Sequence, residues 1–331
     1  MSFVVTKTPY RISFFGGGTD YPDWYRKEGG QVLSTSIDKY CYVTCRFAPK
    51  YQTPRHRIVW ASIEIVPSIA DIRHPVVREA LTMLGYDDSR AVEIIYHGEL
   101  PARSGMGSSS AFAAGLIQGL ATMIEGPYDQ HELHRRATEL ERDRLGEHVG
   151  SQDQVAVCCG GMNVIRFGPG DKIDVTPLKL APDRKKDLVD HLMLVYLGRT
   201  RIASDIAGEV IQNLNNRRAE LRQIHAHVDA AVEILRGSGD IMDFGRLLNE
   251  TWHLKRQLGP RVSNDTVDEI YKRARQNGAV GGKLLGAGGT GFMLFFAAPD
   301  DWERLAEALA PHAHLPFQFE EKGSRVVINE G

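Results

Sequence analysis

The sequence predicts a two-domain α/β protein in which strands and helices are mixed along the chain, an α+β arrangement. The chain has 331 residues, which is more than a single hydrophobic core usually serves. Runs of β-branched and aromatic residues alternate with segments of helical periodicity in both halves. A turn-forming stretch at 168–171 and a charged one at 181–186 place the boundary between a domain of residues 1–182 and a domain of residues 183–331.

The elements of the first domain follow from the alternation of apolar runs and turns. Branched and aromatic residues predict strands and a hairpin at 56–66, and the helical pattern dominates after residue 107. The predicted strands are residues 3–6, 11–15, 31–37, 40–47, 91–96 and 162–167, and the predicted helices are 108–124, 130–145 and 151–159.

The second domain begins with a compact strand at 192–197. A long, mostly uninterrupted helix is predicted over 203–235, because Ile206, Val210 and Leu214 recur on one face. The remaining predicted elements are helices at 244–257, 266–277 and 301–309, strands at 282–285 and 292–296, and a final pair of strands.

The composition excludes several classes of protein. With 40 basic and 42 acidic residues the net charge is −2, which indicates neither a nucleic acid nor an anionic membrane as the main partner. The first ten residues lack the apolar core of a signal peptide, and the most apolar helix, 111–124, is too short to span a bilayer. The four cysteines follow no paired metal-binding spacing. We therefore expect a cytoplasmic protein with reduced thiols.

The most informative segment runs from Pro101 to Ser110 and leads into an apolar helix. Its glycines let backbone N–H groups turn inward, and its serines open a helix whose positive end faces the same space. This combination favours binding of an anion, such as the phosphates of a nucleotide. No Lys-Ser or Lys-Thr pair follows the glycines, so the segment is not a Walker A loop, and an ordinary helix cap is the alternative.

Two further segments carry candidate polar groups. In residues 9–21 a strand delivers Arg11 and then breaks into glycines, which let Thr19 and Asp20 approach a ligand, although a tight turn capped by Asp20 would give the same pattern. Glu141 lies on a later helix, and Asp153 follows in Gly-Ser-Gln-Asp-Gln. Two carboxylates near a phosphate loop suit magnesium binding and proton transfer, whereas isolated carboxylates are usually solvated surface charges.

The fourth segment runs from Lys283 to Gly291 and contains a GxGxxG match. This pattern also occurs in dinucleotide-binding loops, so a dinucleotide site is an alternative. The glycines lie between two β-like runs, however, and no helix opens after them, so the context of a dinucleotide-binding fold is missing. A glycine turn that packs against another phosphate loop fits better.

These four segments, in this order and at these separations, resemble those of the GHMP kinases (galactokinase, homoserine, mevalonate and phosphomevalonate kinases). The middle one is similar to the family's Pro-x-x-x-Gly-Leu-Gly-Ser-Ser, with Met106 in place of leucine, and Gly286 to Gly291 are similar to its C-terminal glycine motif. The resemblance covers nearly the whole chain. It implies an N-terminal mixed α/β domain with a left-handed βαβ crossover, a C-terminal ferredoxin-like α/β sandwich, and an active site in the cleft between them.

Residues 9–21 indicate which branch of the family the chain resembles. Pro-x-Arg followed by Gly-x-x-Thr-Asp-Tyr resembles the galactokinases and related sugar 1-kinases, whereas mevalonate kinases carry lysine at the position of Arg11. Gly17 and Gly18 replace the Glu-His of galactokinases, which argues against galactose. Together, the glycine run, the Ser-Gln-Asp-Gln segment and Gly-Lys-Leu-Leu-Gly-Ala-Gly-Gly resemble the D-glycero-D-manno-heptose 7-phosphate kinases, which make the 1,7-bisphosphate on the route to nucleotide-activated heptose.

The resemblance implies a role for each segment. Ser109, or Ser108 beside it, and Glu141 would hold Mg²⁺, so ATP and Mg²⁺ are the expected cofactors. Asp153 would accept the proton of the sugar hydroxyl or orient that hydroxyl, and Arg11 would favour the ionised carboxylate. The residues that would bind the nucleotide are those of the loop: Arg103, Ser104, Gly105, Met106, Gly107, Ser108, Ser109 and Ser110.

The acceptor sugar is assigned to residues on both sides of the cleft, which are Gly17, Gly18, Thr19, Asp20, Gly288 and Gly289. A sugar that already bears a phosphate needs a second cationic pocket. Arg199 and Arg201, in a loop after a strand of the second domain, are candidates, with Lys283 and Arg103 behind them. Exposed charges at the start of a helix are the alternative.

The expected partners are therefore ATP and a small sugar phosphate, with no nucleic acid and no membrane, and a homodimer is compatible with this expectation. A 1-kinase for an unphosphorylated sugar such as fucose is the first alternative. A mevalonate-pathway kinase is disfavoured by Arg11. A catalytically silent sugar sensor is disfavoured because Arg11, Glu141, Asp153 and the loop serines are all present.

Overall fold

The computed structural model describes residues 2–49, 55–198 and 203–331. The strands are β1 (Phe3–Phe15), β2 (Gly30–Phe47), β3 (His56–Val59), β4 (Ile63–Val66), β5 (Val92–Gly98), β6 (Met162–Gly168), β7 (Lys172–Pro177), β8 (Leu192–Tyr196), β9 (Ala279–Leu284), β10 (Phe292–Ala297), β11 (His314–Leu315) and β12 (Arg325–Glu330). The helices are α1 (Pro22–Glu28), α2 (Pro75–Met83), α3 (Ser108–Ile124), α4 (Gln130–Thr138), α5 (Gln152–Cys159), α6 (Pro182–Asp190), α7 (Ala203–Asn213), α8 (Arg218–Arg236), α9 (Met242–Arg256), α10 (Asp265–Gln276) and α11 (Trp302–Leu309).

The first sheet contains the long strands that lead to the site. Its order is β12-β1-β2-β5-β3-β4, with β6 paired to β2 and β7 paired to β6. Each of β1 and β2 is one continuous strand, where the sequence predicted two short ones. The expected gap in β2 is taken up by a register shift opposite Pro9 and Tyr10, because a bulge absorbs the extra residues without ending the ladder.

A parallel pair, β3 with β5, joins the antiparallel ladders of this sheet. The chain runs from β3 to β5 through β4 and α2, which makes this connection the crossover of the N-terminal domain. Its left-handed sense stays a prediction.

Helix α3 packs directly on β1 and β2. Two glycines permit this close approach: a Cβ at Gly115 would lie 3.0 Å from Oγ1 of Thr8, and one at Gly119 would lie 2.9 Å from Sγ of Cys45. The helix is buried on almost every side as far as Ala121. Its N-terminus is therefore held firmly by the core, where the loop before it needs a rigid support.

The second sheet is antiparallel, with the order β11-β8-β10-β9. One of its faces packs with Tyr271 of α10 and Leu305 of α11, while the other face joins the main core through Phe244. The predicted two-domain mixed α/β architecture is thus present. The boundary at 182/183 stays a prediction, and the last strand, β12, returns to pair with β1 in the first sheet.

Several element boundaries differ from those predicted. The helix predicted over 203–235 is interrupted by a 3-10 turn, Leu214–Arg217, and the one predicted over 130–145 changes after α4 into a π-helix, Glu139–Arg144. Helices α1, α2 and α6 were not predicted, because each is short; each has proline in its first turn, which is a usable start signal. Within the described ranges, no helix has the length and apolar character needed to cross a bilayer.

Candidate active site

A cleft of about 940 Å³ lies between the two halves of the chain. Its walls come from the glycine turn after β1, the loop before α3, the start of α5, Lys255 near the end of α9 and the turn after β9. The structure therefore brings together segments that are far apart in the sequence. The predicted site residues that line this cleft are Arg11, Gly17, Gly18, Asp20, Arg103, Gly105, Ser108, Ser109, Asp153 and Lys283.

The loop before α3 has the backbone geometry of an anion-binding turn. Gly107 precedes the helix in a left-handed conformation and offers no side chain to cap the first turn. Ser108 and Ser109 of that turn line the cleft. The unsatisfied N–H groups of the turn and the positive end of the helix dipole are thus available to an anion.

The loop before α3, residues 101–107, is the predicted phosphate loop, and the glycine turn between β9 and β10 packs against it. A Cβ at Gly105 would lie 2.5 Å from the carbonyl oxygen of Leu285, and one at Gly286 would lie 2.6 Å from Cα of Gly105. The amide of Phe292 also donates to the carbonyl of Ser104 at 3.1 Å. The predicted packing of one glycine turn against the other is confirmed, and only residues without side chains permit this distance.

Arg11 and Asp153 form a partly buried, bidentate ion pair in the cleft. Nε and Nη2 of Arg11 donate to Oδ1 and Oδ2 of Asp153, each at 2.8 Å. Nη1 of Arg11 donates to the carbonyl of Gly105 at 2.6 Å. The guanidinium is 3% exposed and the carboxylate 27%. The arginine is thus fixed on three sides, while the aspartate still faces the cleft.

Asp20 is held in the wall of the cleft by a different set of donors. Its Oδ1 accepts from the amide of Gly18 and its Oδ2 from Nε2 of Gln152, both at 2.9 Å. Burial raises the pKa of Asp20, and the nearby charge of Asp153 raises it further, although these hydrogen bonds act in the opposite direction. A Cβ at Gly150 would overlap the Asp20 carboxylate. The glycine before α5 is therefore what lets the carboxylate occupy this position.

Glu141 lies on the π-helix and is fully buried. Its Oε2 accepts from Oγ of Ser110 at 2.7 Å and from Nε2 of Gln154 at 2.6 Å, whereas its Oε1 has no hydrogen-bond partner. Burial raises its pKa to about 7, and the hydrogen bonds from Ser110 and Gln154 oppose this shift. A π-helix displaces the following side chains from their α-helical directions, which is why such segments are frequent at functional sites.

Two buried lysines of the second domain line the cleft. Nζ of Lys283 donates to the carbonyls of Ser13 and Phe14, each at 2.8 Å, and burial places its pKa well below the usual range. Lys255, on α9, was not singled out in the sequence. Its Nζ donates to the carbonyls of Leu284 and Gly286 at 2.8 and 2.6 Å.

One end of the cleft is aromatic. The ring of His74 lies 4.8 Å from that of Trp60 and 5.2 Å from that of Phe112, and Tyr96 makes an edge contact with Phe112. Nε1 of Trp60 donates to the buried carboxylate of Glu64 at 3.0 Å. This end of the cleft therefore offers flat, apolar faces beside the phosphate loop.

Other predicted site residues are placed away from the wall of the cleft. The hydroxyl of Thr19 donates to backbone carbonyls, and Gly288 and Gly289 pack against Val262. Ser104, Met106, Gly107, Ser110 and Glu141 support the loop from behind, since they are buried and do not line the cleft. Arg199 and Arg201 lie outside the described residues, so their assignment stays a prediction.

The residues of the candidate site that the sequence did not predict are Gln152, Gln154, Lys255 and the aromatic end of the cleft. The sequence could have indicated the two glutamines, because successive residues of a helix point about 100° apart, so that the neighbours of Asp153 on either side can reach different partners. Flanking Asp153, they hold Asp20 on one side and Glu141 on the other. Lys255 had no such signal, because only the packing of α9 against β9 places it in the cleft.

Comparison with known families agrees with this geometry. Residues 74–161 match the family described as GHMP kinases N terminal domain, and residues 228–312 match GHMP kinases C terminal. The first match contains the phosphate loop and α5, and the second contains α9 and the second glycine turn.

Individual relatives cover almost the whole chain. D-glycero-alpha-D-manno-heptose 7-phosphate kinase of Campylobacter jejuni subsp. jejuni serotype O:2 is 29% identical over 93% of this chain and 94% of its own length. Bifunctional fucokinase/GDP-fucose pyrophosphorylase of Arabidopsis thaliana is 26% identical over 93% of this chain but 31% of its own length. Among solved structures, a D-glycero-D-manno-heptose 1-phosphate kinase from Bacteriodes thetaiotaomicron has a TM-score of 0.81 at 23% identity, with 99% of this chain and 100% of that chain covered.

Proposed function

The chain belongs to the GHMP kinase family, and within it we propose that the protein phosphorylates the anomeric hydroxyl of a sugar phosphate, with D-glycero-D-manno-heptose 7-phosphate as the acceptor and the 1,7-bisphosphate as the product. It is an ATP-dependent sugar kinase. The observation that supports the proposal most directly is the Arg11–Asp153 pair, which lies between the phosphate loop and the Asp20 turn in one cleft. The Campylobacter relative supports the choice of acceptor.

The nucleotide fits the cleft with its phosphates at the N-terminus of α3. Backbone N–H groups of the loop and the helix dipole would stabilise the triphosphate charge. The aromatic end, formed by Trp60, His74, Tyr96 and Phe112, offers flat faces on which a nucleobase can stack. Both features lie along one continuous cavity, so a single extended ligand can reach them together.

The residues present fit a magnesium ion bound together with the nucleotide. Mg²⁺ prefers oxygen ligands and usually keeps waters and phosphate oxygens among them. Glu141 carries a buried carboxylate oxygen without a partner, and Ser109 presents a hydroxyl at the adjacent cleft wall. In the described ranges no three acidic, histidine or cysteine side chains cluster as a metal site, so phosphate oxygens would complete the shell. The ion would neutralise the charge of the terminal phosphates.

The chemistry assigned to this chain's residues is proton transfer and charge stabilisation. Asp153 would take the proton of the sugar hydroxyl while that oxygen attacks the terminal phosphorus of the nucleotide. Both carboxylate oxygens already accept from Arg11, yet each retains a lone pair for the hydroxyl. Arg11 favours the ionised carboxylate and offsets charge on the transferred phosphoryl group. An anomeric hydroxyl is more acidic than an ordinary alcohol, so modest basicity suffices.

The acceptor would be positioned by the turn after β1. Gly17 and Gly18 leave space in the cleft, and the Asp20 carboxylate can accept hydrogen bonds from ring hydroxyls. A phosphorylated acceptor also needs a cationic partner, which we assign to Arg199 and Arg201. The cleft lining includes Ala207 and Val210 of α7, the helix that follows these arginines.

A coupled ADP-release assay tests the proposal. ATP and Mg²⁺ would be supplied with a panel of sugars, each with and without its terminal phosphate. Turnover with heptose 7-phosphate and not with heptose supports the proposal. Turnover with unphosphorylated sugars would assign the protein to the fucokinase-like alternative. Nucleotide binding without turnover of any sugar would favour the sensor.

A further inference from the structure

Lys255 is a buried lysine of the cleft wall, and in its ammonium form two hydrogen bonds leave one N–H donor unused among the described residues. Its side chain projects from α9 and is only 9% exposed, yet it lines the cavity. An ammonium carries three N–H donors. Two are used by the carbonyls of Leu284 and Gly286, at 2.8 and 2.6 Å. These bonds hold Nζ in place and leave the third donor for a ligand.

The acceptors that hold Lys255 are all neutral. The charged groups facing it are Arg11 on β1, Asp20 in the turn after β1, Asp153 on α5 and Lys283 on β9. Among the described residues none of these carboxylates hydrogen-bonds to Lys255, because Asp153 is paired with Arg11 and Asp20 is held by Gln152. Burial accordingly lowers the pKa of Lys255 to about 7. A buried cation with only neutral partners is costly, and an anionic ligand would offset that cost.

The position of Lys255 relative to the phosphate loop indicates which anion. The carbonyl of Gly286 belongs to the turn that packs on Gly105 of that loop. Arg11 donates to the carbonyl of the same Gly105. Arg11 and Lys255 thus approach one junction from the two halves of the protein, and that junction lies beside Asp153.

We propose that Lys255 donates its third N–H to a phosphoryl oxygen of the substrate and is thereby a substrate-binding residue of the cleft. The phosphoryl group can come from two sources, the terminal phosphate of the nucleotide or the phosphate already carried by the acceptor. If the phosphate is that of the acceptor, the inference rests on the proposed function, because only that proposal gives the acceptor a phosphate.

Three variants separate phosphoryl binding from a structural role. Lys255→Gln removes the charge but keeps N–H donors for the two carbonyls, whereas Lys255→Met removes both. Lys272→Met, on the exposed face of α10, is the matched control for loss of a lysine charge in the same domain. If Lys255 only supports the glycine turn, Lys255→Gln should behave like the wild type. If it binds phosphoryl oxygen, both Lys255 variants should be impaired alike.

Steady-state kinetics identify the source. A role at the transferred group predicts that kcat with the phosphorylated acceptor falls about 10²- to 10³-fold while KM for that acceptor changes little. This is the usual loss when one transition-state donor is removed. A role at the acceptor's phosphate predicts instead that KM for the phosphorylated acceptor rises about tenfold or more, while KM for ATP is unchanged.

An acceptor-independent measurement keeps this inference separate from the proposed function. The ratio of affinities for a non-hydrolysable ATP analogue and for ADP is measured by calorimetry, and thermal unfolding of each variant checks folding. A ratio reduced at least about fivefold in both Lys255 variants supports the nucleotide as the source, even if no sugar is turned over. Variants that fold and match Lys272→Met in this ratio, in kcat and in both KM values would overturn the inference.

Discussion

Arg11 and Asp153 lie side by side in the cleft, joined by two hydrogen bonds of 2.8 Å. The third donor of Arg11, Nη1, reaches the carbonyl of Gly105 in the phosphate loop. The ion pair therefore fixes the carboxylate relative to the place where the nucleotide's phosphates would bind. Under the proposed function, this relationship links the carboxylate that would accept the proton to the loop that would hold the phosphoryl donor.

Asp153 and Arg11 should act as a unit. We expect Asp153→Asn to lower kcat about 10²- to 10⁴-fold, the range for loss of a general base, because an amide cannot accept the hydroxyl proton. Arg11→Lys keeps the charge but loses the bidentate geometry. In the double variant, the increase in activation free energy calculated from kcat should be smaller than the sum of the increases in the two single variants. The measurement is a double-mutant cycle in kcat, with ATP-analogue binding as the check on folding; strictly additive losses would contradict the coupling.

Asp20 should affect the acceptor more than the nucleotide. Asp20→Asn keeps the shape of the side chain but removes the charge that accepts hydrogen bonds from hydroxyls. We expect KM for the sugar to rise about tenfold, since a charge-assisted hydrogen bond contributes roughly 1.5–3 kcal/mol. KM for ATP should stay within about twofold. Initial-rate measurements with each substrate varied in turn provide the test, and a rise confined to KM for ATP would refute this role.

Glu141 should make the stability of the metal-free protein depend on pH. Its pKa is raised to about 7 by burial, so the folded state binds this proton more tightly than the unfolded chain does. Stability is therefore greatest below the unfolded pKa, falls as pH rises from about 4.5 to about 7, and is level above that. Relative to Glu141→Gln, the wild type should lose roughly 3 kcal/mol of unfolding free energy over this window.

Urea unfolding in EDTA at several pH values measures this dependence. Asp143→Asn, an exposed substitution in the same π-helix, serves as the control and should follow the wild type. Adding Mg²⁺ with an ATP analogue should reduce the difference at high pH, because a bound cation favours the ionised carboxylate. Parallel profiles for the wild type and Glu141→Gln would show that Glu141 does not titrate in this range.

Gly105 should tolerate no side chain. Its φ is +81°, and a Cβ would lie 2.5 Å from the carbonyl of Leu285. Gly85 is a matched control, because its φ is +72° and nothing lies within 4 Å of a Cβ there. We expect Gly85→Ala to lower the free energy of unfolding by about 1 kcal/mol, from backbone strain alone. Gly105→Ala should lower the free energy of unfolding clearly more than Gly85→Ala does, and it should raise KM for ATP. Thermal unfolding and steady-state kinetics measure these two effects. Equal losses of stability in the two variants would mean that the loop before α3 can move away from the turn at Leu285 without cost.

The sequence predicted much of the site because its signals are local. Glycines that favour a left-handed backbone, a helix start rich in serine and an arginine in the strand before a glycine turn are all recognised from neighbouring residues. The partners of these groups could not be read in this way. The helical position of Gln154 shows that it points away from Asp153, but it does not identify Glu141 as the partner. Glu141 lies on a π-helix that the sequence shows only as ordinary helical periodicity.

The limits of several elements depended on packing rather than on local propensity. The sequence predicted strands that stop near Asp38, yet pairing with β1 carries β2 through this polar stretch as a bulge. It also predicted one long helix where Leu214–Arg217 forms a 3-10 turn. Sheet pairing and helix contacts contribute more free energy than the local preferences of two or three residues, so they decide such boundaries.

By itself, the sequence determined the fold class, because apolar patterning and turn residues are local signals. It also predicted the loop before α3 from its glycines and serines, and it singled out Arg11, Asp20, Glu141 and Asp153 as site candidates, whose roles follow from the family resemblance. Only the tertiary structure decided that the carboxylate of Asp153 faces the cleft and that the carboxylate of Glu141 is buried behind the loop. It also decided that Lys255 lines the same cleft. The physical reason is that burial and charge proximity are properties of three-dimensional packing. They set pKa values and free hydrogen-bond donors, and no order of residues along a chain specifies them directly.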